Sequence, residues 1–170
     1  LITEKNVRPE EIMIATFTEK AAKELITRIT NELYSIGVSV NLNEMYIGTL
    51  HSIFLRFLEE NREYTRLKRS YRLFDQFEQV FTIFRHINEF LSIDGIIDLI
   101  GDHRVNYWRK AASIAEKMNV VSEEVLDIEK LQKSEHSSVR ALAACYLKYE
   151  EILAEENALD FSSIQLATLR

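Results

Sequence analysis

The chain has 170 residues, 46% of them hydrophobic and 28% charged, with a net charge of −6. That suits one ordinary domain, or a domain with a helical appendage, and it excludes the whole-surface basic footprint of a dedicated nucleic-acid binder. Four glycines and one proline exclude a turn-dense sandwich or barrel and point to long helices with few connections.

Cys145 has no partner for an intrachain disulfide, which fits a reducing compartment. No apolar run approaches the roughly 18 residues of a membrane span, and Leu1-Ile2-Thr3-Glu4-Lys5 has no signal-peptide layout. The expected location is the cytoplasm. The chain opens without Met, as a piece of a longer protein would, and as a processed product equally would.

In chain order, Pro9 pins the approach to a buried strand over Ile12 to Ala15. The strand meets a Thr16-Phe17-Thr18 turn and then a helix from Glu19, with Ala22, Leu25, Ile29 and Leu33 on its apolar face. Thr18 is placed to cap that helix, and Gly37 to stop it. Met45 to Gly48 repeats the layout, running through Thr49-Leu50-His51-Ser52 into a helix over Ile53 to Leu58. Strand, helix and strand at this spacing predict a right-handed βαβ unit with parallel strands.

A basic stretch follows, with Arg62, Arg66, Lys68, Arg69 and Arg72 against Glu63 alone, whereas segments 123–129 and 150–156 are acidic. Phe74, Phe77, Phe81, Phe84, Ile87 and Leu91 lie three or four apart, which predicts a helix with this aromatic stripe as bundle core. Gly95 and Gly101 bracket a short apolar turn. The next helix is expected to face inward through Val105, Trp108, Ala112, Ala115 and Met118. Ser122 then reads as a cap before acidic first-turn residues, and Val139, Leu142, Tyr146, Tyr149 and Leu153 mark a last long helix. Between about Asp75 and Ala154 no strand is predicted.

Several chemistries are excluded by absence. Gly37, Gly48, Gly95 and Gly101 do not form a G-x-x-x-x-G-K-[ST] phosphate loop. One Cys and four scattered His residues give no zinc spacing. Asp94, Asp98 and Asp102 recur every four residues, but the adjoining glycines break the helix that would align them for magnesium, so capping is the expected role. His51 and Ser52 are sequence neighbours and point to different sides of a helix start, which is no nucleophile pair.

The two strand-to-helix turns carry the chemistry that remains. Helix N-termini present free N–H groups, Thr16, Thr18, Thr49 and Ser52 add hydroxyls, and Phe17 offers a ring for base stacking. Together they make a candidate phosphate grip. Spacing alone favours the plainer alternative, in which Thr18 and Ser52 only cap and Phe17 is core. The basic stretch, interleaved with Tyr64 and Tyr71, reads equally as a backbone-following surface or as a solvated connector.

Thr16-Phe17-Thr18-Glu19-Lys20-Ala21-Ala22-Lys23-Glu24-Leu25 resembles motif Ia of the UvrD/Rep/PcrA-type superfamily 1 DNA helicases. Ile47-Gly48-Thr49-Leu50-His51-Ser52 resembles their motif Ib, and Asn157-Ala158-Leu159-Asp160-Phe161 is similar to the Leu-Asp-Phe-Asp-Asp-Leu segment. The chain departs from these patterns at Glu19, where many members carry Asn, a variant closer to the helicase-nuclease (AddA/RecB) branch. It departs again at Leu50 for Phe and at Ser162-Ser163-Ile164 for Asp-Asp-Leu.

The resemblance implies a mostly α chain: a partial RecA-like α/β piece, two parallel strands with helices, carrying an all-helical insertion subdomain. Residues 1–60 would be the motor piece, 61–154 the 1B-like insertion and 155–170 the return segment. Contact with single-stranded DNA then falls on Thr16, Phe17, Thr18, Thr49, His51 and Ser52, with backbone contacts from Arg62, Arg66, Lys68 and Arg69. ATP and magnesium are implied for the parent helicase but not for this piece, since the nucleotide motifs would flank it, and the piece alone is expected to be inactive. Implied partners are single-stranded or forked DNA and the rest of the helicase chain, with self-association expected from exposed sheet edges. A bacterial-type, nucleoid-associated activity is the expected setting. Two other readings stand beside this one, a fragment of a recombinational-repair helicase-nuclease and a helical protein-interaction module without a DNA role.

Overall fold

Short apolar runs ending in threonine, each leading into a periodic helix, generate the first of two units. The computed structural model describes residues 2–64, 70–101 and 106–169. It divides into Leu1–Glu60 and Asn61–Arg170.

In the first unit, α1 (Ile2–Lys5) and a turn at Pro9–Glu11 lead to β1 (Met13–Thr16). α2 (Glu19–Ser35), β2 (Tyr46–Thr49) and α3 (Leu50–Glu60) follow. The strands pair in parallel, Met13 beside Tyr46 and Thr16 beside Thr49. Both strands sit one residue later than the apolar runs suggest, because Ile12 and Met45 bury their side chains just before the pairing begins.

α2 ends where expected. Gly37 takes φ 72°, and the Val38 and Gly37 N–H groups return to the Leu33 and Tyr34 carbonyls at 2.9 and 3.1 Å. This double closure satisfies carbonyls a helix end otherwise leaves open.

α3 is fastened to β2 by polar groups. Arg56 donates to the Met45 carbonyl at 2.8 Å and to Glu60 at 2.7 Å, and the Tyr46 hydroxyl donates to Glu60 at 2.6 Å. The Tyr46 bond, then the Arg56 bond, holds the Glu60 carboxyl below its ordinary range. A lowered folded-state value means that the clamp contributes fully above the usual glutamate range and is lost as pH falls below that range, through the lowered folded value.

The second unit contains β3 (Arg72–Phe74), α4 (Gln76–Arg85), α5 (Ile87–Leu91), α6 (Ile96–Ile100), α7 (Tyr107–Glu123), α8 (Ile128–Gln132), α9 (Ser137–Glu156), β4 (Ala158–Asp160) and α10 (Phe161–Leu169). Among described residues 75–154 every regular element is helical, as predicted. The pairing of β3 with β4 is additional, a short parallel ladder from Arg72 beside Ala158 to Phe74 beside Asp160. Three residues in a strand are too few for alternation to register.

The aromatic stripe is a correction. Phe74 is buried, but in β3. Phe77 and Phe81 are 62% and 43% exposed, and Phe84 is also exposed, while α4 turns Gln79, Val80, Thr82 and Ile83 inward. Periodicity shows that a face exists without showing which side the core takes. Here compact aliphatic residues meet α7, and the rings keep company outside. Phe77 stacks on Phe81 at 6.1 Å, and Trp108 meets Phe77 and Phe84 at 5.5 and 5.7 Å.

α7 turns Ala115 and Met118 inward as expected but not Trp108. Its buried face is Ala111, Ile114, Ala115, Met118 and Val121, with Trp108 on the flank, and Val105 lies outside the described residues. Ser122 is buried inside α7 rather than capping a new helix. That cap is Asp127, whose carboxylate accepts the Lys130 N–H at 3.2 Å. The glycine brackets hold, for Gly95 and Gly101 flank α6 with φ of 76° and 77°. Asp98 accepts a hydrogen bond from the Ser137 hydroxyl, which fits a structural role. Asp102 lies outside the described residues.

Beneath α4, α7 and β4 runs a buried polar cluster. Gln79 Nε2 donates to Asn119 at 2.7 Å and to the Asp160 carboxylate at 2.9 Å, and Asp160 also accepts the Ser163 N–H at 2.7 Å. Tyr149 is buried beside it, its phenol pushed up by burial and then by the Asp160 charge.

Cys145 lies in the apolar core of this unit, and burial pushes its thiol up to about 12. The thiolate is the reactive form. Ellman's reagent is expected to leave folded protein unlabelled at neutral pH and to label one thiol in denaturant. Fast labelling of native protein would contradict this packing.

Candidate nucleic-acid interface

The parallel register that sets Thr16 beside Thr49 also brings together the two helix starts that follow. At the first, Thr16 Oγ1 lies 3.1 Å from the Thr18 carbonyl and 3.3 Å from the Gly48 carbonyl, so its proton serves the turn or the neighbouring strand end. Thr18 is extended and caps α2, its hydroxyl oxygen accepting the Ala21 N–H at 3.1 Å. That bond uses a lone pair and leaves the hydroxyl proton without a partner among the described residues.

At the second turn the cap is Thr49 rather than Ser52. Thr49 Oγ1 accepts the Ser52 N–H at 3.3 Å, and the Ser52 hydroxyl donates to the Thr49 carbonyl at 2.9 Å. The two side-chain oxygens are 3.2 Å apart, closing a small clasp. A Cβ at Gly48 would run into the Ser52 hydroxyl, so the missing side chain is what lets the clasp close over the strand. Glu19, the first residue of α2, reaches across to accept from Thr49 Oγ1 at 3.4 Å.

Thr18 caps α2 as the plainer alternative has it, but Phe17 does not join the core. Its ring is fully exposed, at 102% of its reference area. Thr16, Phe17, Thr18, Thr49, His51 and Ser52 all belong to the first unit, and His51 is half-buried with partners of its own. The result is a ring on the surface beside threonine hydroxyls and two helix starts, each offering partial positive charge. Such a set can hold a phosphodiester and stack a base without reading base edges.

Arg62 lies in the second unit, in a turn at Arg62–Tyr64, and has interactions of its own. Arg66, Lys68 and Arg69 lie outside the described residues. Arg72, at the end of that stretch, has a structural role: it pairs with Glu156 at 2.9 Å and Glu78 at 3.5 Å and covers the Phe74 ring.

Residue patterns missed two contributors. Glu19 stood out only as a departure from a motif, and nothing in its spacing shows that it faces the second strand; the expected parallel pairing of the two turns was the available signal. Gly48 read only as the end of a strand.

The four glycines form no phosphate loop, and among the described residues no three His, Cys, Asp or Glu side chains are grouped to hold a metal ion. Nor is any helix among them long and apolar enough to cross a membrane.

Comparison with known proteins places these observations. The family model of the UvrD/REP helicase N-terminal domain matches residues 1–170. The whole chain is 29% identical to a stretch of the ATP-dependent DNA helicase SRS2 of Saccharomyces cerevisiae, covering 15% of it. It is 26% identical over its whole length to a probable DNA helicase II homolog of Mycoplasma capricolum, covering 22% of that protein. With the ATP-dependent DNA helicase PcrA of Staphylococcus epidermidis it shares 25% identity over 99% of the chain and 21% of the relative. The chain therefore spans under a quarter of the length of each of these relatives.

Proposed function

This chain belongs to the UvrD/REP helicase N-terminal domain family, and on that premise we propose that it is the single-strand-gripping section of an ATP-dependent DNA helicase. Residues 1–60 are its motor piece, 61–154 its helical insertion and 155–170 the return to the motor. Thr16, Phe17, Thr18, Thr49, His51 and Ser52 hold the strand. ATP and magnesium belong to parts of the parent outside this chain, and no step here runs through them. The setting is the cytoplasm, on single-stranded or forked DNA.

The observation that carries this reading is the fully exposed Phe17 beside the Thr18 and Thr49 hydroxyls. Neutral donors grip any phosphate and an aromatic face stacks on any base, which suits a motor that must pass every sequence. Fluorescence anisotropy with a labelled oligo-dT tests it. Thr49→Ala with His51→Ala is expected to weaken binding at least about tenfold at low salt, the lower end of one lost hydrogen bond to a charged group. Unchanged affinity would sink the assignment.

Gly48→Ala probes the clasp independently. The added methyl displaces the Ser52 hydroxyl, a flexible side-chain tip, so the fold adapts but the Thr49–Ser52 pairing opens. A several-fold loss of oligo-dT affinity is expected, with a melting temperature within a few degrees of wild type.

A further inference from the structure

The Thr49 hydroxyl, whose proton the proposed phosphate grip would use, already has an anionic acceptor in reach. Glu19 Oε1 lies 3.4 Å from Thr49 Oγ1, at the long edge of hydrogen-bond geometry. A bond of that length is easily replaced. Glu19 makes no ion pair within 4 Å among the described residues, and Lys20 and Lys23 follow it on the same helix. A phosphate oxygen accepting from Thr49 would stand at most roughly 6 Å from that charge, the sum of a hydrogen-bond length and the existing separation.

We propose that Glu19 is a positioning residue that limits the grip on the DNA backbone. With Ser52 Oγ at 3.2 Å it is one of two acceptors that compete with the phosphate for the Thr49 proton, and it alone repels the phosphate that takes it. This rests on the single-strand-grip reading above and supplies something that reading lacks. A site of hydroxyls, helix N-termini and a stacking ring has nothing that favours release, yet a motor must let each phosphate go as it advances. A carboxylate without a direct ion pair beside one donor weakens binding without removing any contact. Its place at the first position of α2 makes it stable there, since negative charge is favoured at a helix N-terminus.

The test uses the full-length protein that carries this chain, with Glu19→Gln, Thr49→Ala and Thr18→Ala variants and labelled oligo-dT in anisotropy titrations. Glu19→Gln keeps the shape and an acceptor oxygen but removes the charge. It is expected to bind roughly three- to tenfold more tightly than wild type near 50 mM salt, the scale of two unit charges about 6 Å apart at a solvated surface. The gain should fade near 500 mM salt, where the screening length falls to about 4 Å. A merely structural role would instead lower the melting temperature of Glu19→Gln and leave affinity equal or weaker at both salts. Equal or weaker binding at low salt, or a gain that survives high salt, overturns the inference. If Thr49→Ala and Thr18→Ala bind as wild type does, the grip reading itself falls and this inference with it. If those two weaken binding while Glu19→Gln does not strengthen it, the grip stands and only the role of Glu19 fails.

Discussion

Asp160→Ala is expected to destabilise the second unit by about 2–4 kcal/mol, the combined scale of a lost helix cap and orphaned buried donors. Asp160 is only 5% exposed, and its carboxylate is held by N–H donors rather than by a cation: Gln79 Nε2 at 2.9 Å and the Ser163 N–H at 2.7 Å. The Asp160 N–H donates back to the Ser163 hydroxyl at 2.8 Å, so the residue both ends β4 and starts α10. Alanine removes both carboxylate bonds and leaves the Ser163 N–H buried with no side-chain acceptor. Asp160→Asn keeps one acceptor for Ser163 but turns an NH2 towards the NH2 of Gln79, so it should recover only part of the loss. Urea unfolding followed by far-UV circular dichroism measures both. A loss below about 1 kcal/mol for Asp160→Ala, the ordinary size of one hydrogen bond, would show that the cluster is not sealed from water.

That cluster also marks what the residue pattern concealed. Gln79 and Asn119 are polar residues on helices, 40 positions apart, and single-sequence periodicity assigns such residues to solvent. Their pairing with Asp160 exists only once α4, α7 and β4 are packed. The aromatic stripe misled for a related reason: Phe77, Phe81 and Phe84 have a strong helical period, but the neighbouring set Val80 and Ile83 has one too. Shape at the α4–α7 contact decided in favour of the smaller side chains. By contrast the order of elements in the first unit was legible, although β1, read as buried, leaves Met13 exposed and Thr49 rather than Ser52 caps α3. A threonine at each strand end, a glycine after α2 and the apolar face of Ala22, Leu25 and Ile29 are local signals with local causes, namely capping, positive φ and burial. The candidate site was legible as a set of residue types. Its wiring was not, because the Glu19 to Thr49 bond and the Gly48 clearance follow from the register between strands more than 30 residues apart.

Phe17→Ala is expected to weaken binding of single-stranded DNA by about 1–3 kcal/mol, the range for losing one base–aromatic stack, which is roughly five- to 150-fold in affinity. Full exposure of the ring means that the substitution removes almost no buried area, so the melting temperature should stay within a degree or two of wild type. This separation distinguishes a binding ring from a core ring, whose truncation typically costs about 3–5 kcal/mol of stability. Three further outcomes identify stacking as the cause. Phe17→Tyr and Phe17→Trp keep a π face and should retain affinity, whereas Phe17→Leu keeps apolar area and should lose it. The loss should be similar on dT, dC and dA oligonucleotides, because every base offers a face. It should also persist at high salt, since stacking releases no counterions, in contrast to a change that acts through charge. A leucine as good as phenylalanine would reduce Phe17 to an apolar contact, and an alanine as good would remove it from the interface.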